Sequence, residues 1–268
     1  MRLRIPWMAV VTVLIILFLY LPLVVVVLYA FNSGSNLSWP PEGLSLRWFR
    51  NVFDTPEFRD SLLLSLRIGL IVAVLSGIVG GAAALVFTRR RSWGIRVVEA
   101  ASRLPVMLPP LFLGIALLVA MQAADVVPSL WSIVLAHVLI VLPYVIVIVA
   151  ARLETFDLDL ELAARDLGAG PLQTLRRITL RAVGPAMLGA ALLAFAFSVD
   201  ETLVTNLVSG DQVTLPLYVY SKLRRTVDPS INAVAAMLLI LPWIALGIAW
   251  LLLRRSLQGP RRGQEGTG

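Results

Sequence analysis

Long apolar runs alternate with short polar, arginine-bearing ones along almost the whole chain, and the length of each run decides what it is. Crossing a bilayer as a helix takes about 20 apolar residues, because each residue rises about 1.5 Å and the hydrocarbon layer is about 30 Å thick. Six runs reach that length, at about 7–31, 61–88, 104–123, 129–151, 184–209 and 231–253. They predict an all-α membrane protein with six transmembrane helices in a single domain over 1–268. The first run follows Arg2 and Arg4 and exceeds the roughly 7 to 15 residues of a signal-peptide core, so it reads as a retained anchor. Pro22 lies inside it, which membrane helices tolerate. The third opens with LPVMLPP, whose Pro105, Pro109 and Pro110 call for an irregular start buried against protein.

Two polar stretches carry their own pattern. Between the first two runs, Leu46, Trp48, Phe49, Val52, Phe53 and Phe58 interleave with Arg47, Arg50, Asp54, Glu57 and Arg59, as in a helix lying on a membrane surface. Between the fourth and fifth lies a loop, 152–183, containing DLELAARDLGAGPLQTLRRITLR from Asp159 to Arg181. Asp157, Asp159 and Glu161 suit a helix N-terminus, and Leu160, Ala163, Ala164 and Leu167 then recur at i, i+3, i+4 and i+7. Gly168 and Gly170 break that helix and Pro171 fits the first turn of another. The second helix sets Leu172, Leu175, Ile178 and Ala182 opposite Arg176, Arg177 and Arg181. The loop is therefore expected to be helix, glycine turn, helix, and the tail 256–268, rich in Arg, Gly and Pro, to be disordered.

Charge orients this arrangement. With 59% hydrophobic and 15% charged residues the composition is outside the soluble range, and the net charge of +7 sits beside the apolar runs rather than in a separate basic domain. Six spans put both termini on one side. With that side cytoplasmic, sixteen Arg face the cytoplasm, including Arg89, Arg90, Arg91, Arg96 and Arg103, against six Lys and Arg outside. The 152–183 loop is then cytoplasmic. Arg67, one to two turns inside the second span, is close enough to its end to snorkel. Gln122 and Asp125 mark the outer end of the third span, and Trp39, Trp48 and Trp131 suit interfacial anchors.

The inventory excludes several chemistries. There is no cysteine, one histidine (His137) and one lysine (Lys222), which follows no glycine-rich loop. A Cys-dependent metal site and a GxxxxGK[ST] phosphate cradle are both absent from the sequence, as is a GxSxG elbow. No cofactor or metal is expected. Nucleic acid is disfavoured as a partner, because membrane spans flank the basic helix directly; a compact knob suits a groove on a soluble protein partner, with membrane lipid as the alternative contact.

A few polar groups inside the apolar runs are the candidate pathway. Asp200 and Glu201 lie about 24 Å along the fifth span, where a carboxylate needs water or a partner. Two roles are open: lining a cation path, or forming a structural ion pair with an arginine of the outer loop. His137, about two turns into the fourth span, is a candidate interhelical hydrogen-bonding group or proton relay, with Pro143 and Tyr144 further along.

LAARDLGAG followed by Ile178 and Leu180 resembles the coupling loop of permease subunits of bacterial ABC importers, E-A-A-x3-G-x9-I-x-L-P. Ala163, Ala164, Gly168, Ile178 and Leu180 fall at the matching spacing; Leu162 stands where the motif has Glu, with Glu161 one place early, and Arg181 replaces the motif Pro. The proline-rich third run and His137 with Pro143 and Tyr144 look like that family's third and fourth spans, and SVDETLVTNLVSG followed by TLPLYVYSKLRRTVDPSINAVAAMLL is similar to its polyamine branch. The resemblance implies a MetI-like permease fold in the bacterial inner membrane. It implies a half-pore paired with a second homologous permease, two ATP-binding subunits docked on the loop, and an external substrate-binding protein. Glu161, Ala163, Ala164, Asp166, Gly168, Ile178 and Leu180 would couple to the ATPase, and Asp200, Glu201, His137 and Tyr144 would serve a polyamine such as spermidine or putrescine, with opines, aminoethylphosphonate or iron as other solutes. ATP hydrolysis would belong to the partners, so the chain itself is not expected to be an enzyme. A proton-coupled carrier and an intramembrane hydrolase are the rival readings.

Overall fold

The computed structural model describes residues 7–35, 39–225 and 229–257. Regular structure among them is helical throughout, apart from an isolated bridge between Asn32 and Leu44. The chain divides into two units, Met1–Ser61 with Tyr218–Pro242 and Leu62–Leu217 with Trp243–Gly268.

In the first unit, α1 (Trp7–Ala30) is apolar all round, and its most hydrophobic window buries none of its residues within the chain. A helix of that kind is stable in lipid, where apolar side chains lose nothing by exposure. Burial begins only at its last turn, with Tyr29 and Ala30. The following loop is pinned by Asn32, whose Oδ1 accepts from the backbone N–H of Glu42 at 3.0 Å and of Gly34 at 3.3 Å. Helix α2 (Arg47–Asp54) has the amphipathic character its pattern predicts: Trp48 and Val52, four residues apart, are buried, while Arg47 and Arg50 are exposed. Phe58 is fully buried, its ring edge-on to Phe53 and Tyr218.

The second unit is assembled on α7 (Leu130–Glu154), which follows the capping serine Ser129. Ile133, Val141, Val145 and Val149 of α7 form one apolar core with Ile68 and Val72 of α3 (Pro56–Arg89). Ala190 and Ala194 of α10 (Leu180–Asp200) and Val204 and Val208 of α11 (Leu203–Val208) complete it. Small residues permit the close approach. A Cβ on Gly80 would meet Val145 Cγ1 at 2.7 Å, so only glycine lets α3 pack on α7 at this separation. Ser132 closes the far end of the unit, accepting from its own cap N–H at 2.7 Å and donating to the Val208 carbonyl at 2.8 Å.

Three expectations change. The third run is not one straight span: Trp93–Met107, comprising α4 (Trp93–Ser102) and α5 (Leu104–Met107), meets α6 (Pro110–Ala123) at 111°. Leu108 is extended, at φ −90° and ψ 134°, as the residue before a proline prefers, and Pro109 offers no N–H to carry a helix through. The helix that carries the fifth span does not begin near residue 184. The loop's basic helix and the span are one 30-residue run, Pro171–Asp200, which Gly184 and Pro185 do not interrupt; it breaks at Glu201 and restarts as α11.

The stripe of α8 (Asp159–Asp166) leaves Leu160 53% and Leu167 90% exposed, and the polar Glu161, expected at the helix N-terminus, is instead the buried residue. Among the described residues four helices are long and apolar enough to cross a membrane, Trp7–Ala30, Pro56–Arg89, Leu130–Glu154 and Pro171–Asp200, or five if the bent pair is one span. The sixth run falls in α13 (Ser230–Leu257), and the expected disordered tail lies outside the described residues beyond Leu257.

Candidate functional site

The knob at 152–183 owes its shape to backbone chemistry. Helix α8 ends in a Schellman motif: Ala169 N–H bonds the Ala164 carbonyl at 3.0 Å and Gly168 N–H bonds Arg165 at 2.8 Å. That closure needs a left-handed residue, and Gly168 supplies it at φ +85° with no Cβ to strain. Gly170 and Pro171 then start α9 (Pro171–Thr174), which passes into a π-helical turn, Leu175–Thr179, and on into α10. The second helix of the knob and a helix of membrane-crossing length are therefore one continuous rod.

Glu161 locks this rod to the rest of the unit. Its Oε1 accepts from Arg89 Nη2, at the end of α3, and from Thr179 Oγ1, in the π turn. The carboxylate is buried, at 5% exposure. Burial alone would raise its pKa; the hydrogen bonds from Thr179 and Arg89, with the charges of Arg89 and Arg165, outweigh it and hold the group below its ordinary value. Arg152 adds a second tie, from α7 to the Ala182 carbonyl at 3.2 Å. Four leucines face outward, Leu160, Leu162, Leu167 and Leu172, each more than half exposed, among exposed Ala163, Arg165 and Asp166. Ala164, Ile178 and Leu180 are half-buried and shape the knob from beneath.

The polar groups of the fourth and fifth spans do meet. His137 is buried on α7, its Nδ1 2.7 Å from Ser198 Oγ on α10 and its Nε2 2.8 Å from Thr205 Oγ1 on α11. Thr205 donates its hydroxyl proton to the Glu201 carbonyl at 2.7 Å. Nε2–H is therefore the donor to Thr205, and the imidazole bridges the break between α10 and α11. Tyr144 lies further along the same helix, stacked on Phe197 with centroids 5.3 Å apart and planes 18° from parallel.

The acid pair divides in its surroundings. Glu201 is half-buried and its Oε1 accepts the Val204 N–H at 3.0 Å, capping the short α11 where a negative charge suits a helix start. Asp200, at the end of α10, is exposed, and its carboxylate has no ion-pair partner among the described residues. No group of His, Asp or Glu among the described residues is placed to hold a metal ion.

Sequence reasoning missed four of these groups. Arg89 was read only as an orientation signal, and Thr179, Ser198 and Thr205 not at all. The two hydroxyls flanking Asp200 and Glu201 in SVDETLVT were visible as polar residues in an apolar run; the Arg89–Glu161 pair, 72 residues apart, left no local trace.

The glycine-turned knob thus runs on into one of the helices long and apolar enough to cross a membrane. The chain belongs to the family of binding-protein-dependent transport system inner membrane components, whose profile matches residues 69–258. It is 36% identical, over an alignment of 278 positions covering 97% of this chain and 98% of the relative, to the putrescine transport system permease protein PotI of Escherichia coli. It is 32% identical to the spermidine/putrescine transport system permease protein PotC of Haemophilus influenzae, with 87% of this chain and 91% of the relative covered. Among solved structures it is similar in fold, at 15% identity and a TM-score of 0.71 over 95% of both chains, to a chain of a bacterial ABC transporter that imports the acidic polysaccharide alginate. A chain of the MetNI methionine ABC transporter matches at a TM-score of 0.59 and 17% identity, over 75% of this chain and 98% of that one. The all-helical permease fold and the ABC-permease membership are thereby established, together with the inner-membrane setting that the family description carries.

Proposed function

We propose that this chain forms half of the translocation pathway of an ATP-driven importer for a polyamine of the putrescine or spermidine type. The observation that carries the reading is identity of 36% and 32% to putrescine and spermidine/putrescine permeases along nearly the whole of each chain. The unpaired, exposed Asp200 beside Glu201 agrees with it, since a di- or polyammonium ion crossing a low-dielectric path needs carboxylate counter-charges, and an anion would be repelled there. A second, homologous permease completes the pore, an external binding protein delivers the substrate, and both termini face the cytoplasm across six spans.

Two copies of an ATP-binding subunit dock on the knobs through Leu160, Leu162, Leu167 and Leu172. Their closure then moves a rod that is continuous with a span, which is what coupling requires.

Uptake of labelled putrescine and spermidine into vesicles holding the complete transporter tests this. Asp200→Asn removes a charge-assisted contact worth about 1.5–3 kcal/mol, so uptake at low substrate should fall tenfold or more. Unchanged uptake in both Asp200→Asn and Glu201→Gln overturns the pathway assignment. Uptake driven by a proton gradient without the ATP-binding subunit supports the carrier reading instead.

A further inference from the structure

A cavity of about 610 Å³ opens where α3 leaves its span, between the arginine run that follows it, α4 and the last turns of α7. Arg90, Arg91, Arg96 and Arg103 line it, opposed by Glu99 and Glu154, and its remaining wall on α7 is apolar. Four arginines against two glutamates leave a surplus of two positive charges. Glu99 is committed, accepting from Arg103 at 2.6 Å. Arg90, Arg91 and Arg96 have no ion-pair partner among the described residues, and the neighbouring Arg89 is taken up by Glu161. Neither the knob nor the polar network around His137 uses any of these three.

Guanidinium groups converging on a concave surface recognise phosphate oxygens through forked N–H donors. The surroundings say where the phosphate comes from. Helix α4 carries Trp93, 76% exposed, and Val97 and Val98, 47% and 58% exposed, at i, i+4 and i+5, beside Arg96. An indole and two valines left uncovered on the helix that walls a basic cavity, in a chain of the inner membrane, have the composition of a helix seated at the level of the lipid headgroups. A soluble phosphate would have no use for that apolar rim. We propose that this cavity binds the phosphodiester headgroup of an anionic phospholipid, with Arg90, Arg91 and Arg96 as its donors and Trp93 packed against the upper acyl chain. The surplus of two charges accommodates one or two phosphodiesters. Bound there, the lipid would brace α4 against α7 at the end of the span that carries Arg89.

The test uses the intact transporter, extracted from nanodiscs of phosphatidylcholine doped with phosphatidylglycerol or cardiolipin and examined by native mass spectrometry. The expected result is a retained anionic lipid, with retention falling about a hundredfold in Arg90→Gln/Arg91→Gln/Arg96→Gln, at roughly fivefold per arginine. The charge-matched Arg176→Gln/Arg177→Gln/Arg181→Gln should retain it, and size-exclusion profiles report whether each complex is assembled. Equal loss in both variants would reduce the effect to general surface charge and overturn the site. Displacement of the lipid by millimolar inorganic phosphate, with phosphate binding undiminished in lipid-free detergent, overturns the lipid source in favour of a free anion. Protection of the three arginines from phenylglyoxal on assembly without lipid would make the cavity a protein interface, and the proposal fails.

Discussion

Replacing Glu161 by Ala should release the knob while leaving the spans folded. The side chain accepts two bonds through one oxygen, and their losses differ. Thr179 is fully buried, so its hydroxyl is left without a partner, at about 1–3 kcal/mol. The Arg89 side chain is 34% exposed and can rehydrate, which keeps its share well below the roughly 3–5 kcal/mol of breaking a fully buried pair. The total is about 3 kcal/mol, equivalent to a hundredfold or greater increase in the opening of α8. Glu161→Gln keeps the shape and an acceptor but not the charge, and should cost about 1 kcal/mol.

Hydrogen exchange of the α8 amides in nanodisc-embedded transporter measures both, with α7 amides as the internal reference. The pH dependence carries a sign. Folding lowers the Glu161 pKa from its ordinary 4.5, so the unfolded loop binds more protons in that window and stability rises with pH. The carboxylate's contribution is complete above 4.5 and is lost as pH falls through the lowered value. Exchange in α8 that is identical in wild type, Glu161→Ala and Glu161→Gln would refute the latch.

Two further perturbations separate packing from polar bonding. His137→Phe leaves Ser198 and Thr205 without their imidazole partner in the core, and the thermal midpoint of the detergent-purified transporter should fall by an amount matching about 2–4 kcal/mol; an unchanged midpoint would show that the break between α10 and α11 is held by other contacts. Gly80→Ala places a methyl 2.7 Å from Val145 Cγ1 and should cost about 1–3 kcal/mol by forcing α3 from α7, whereas the double variant Gly80→Ala/Val145→Ala should recover most of it in the same measurement.

Much of the fold is visible in one dimension because lipid imposes one-dimensional rules. A run such as Trp7–Ala30 or Leu130–Glu154 is recognisable from length and apolarity alone, since backbone hydrogen bonds must be satisfied within the segment. The knob was legible for a similar reason: Gly168 satisfies a local rule of helix termination, and the Schellman bonds that demand it reach only five residues. Helix boundaries were less legible. Gly184 and Pro185 suggest the start of a helix, yet the rod runs through them from Pro171.

The sequence by itself determined that this is a multi-span helical membrane protein, with a glycine-turned knob and a few polar groups placed inside apolar runs. Only the tertiary structure decided which of those groups are occupied. Glu161 turns inward to Arg89 and Thr179, His137 is bound on both nitrogens, Glu201 caps a helix, and Asp200 is left free. The physical reason is range. Apolar length and helix termination act over a few residues, whereas the partners of Glu161 and His137 lie 18 to 72 residues away and are chosen when helices pack.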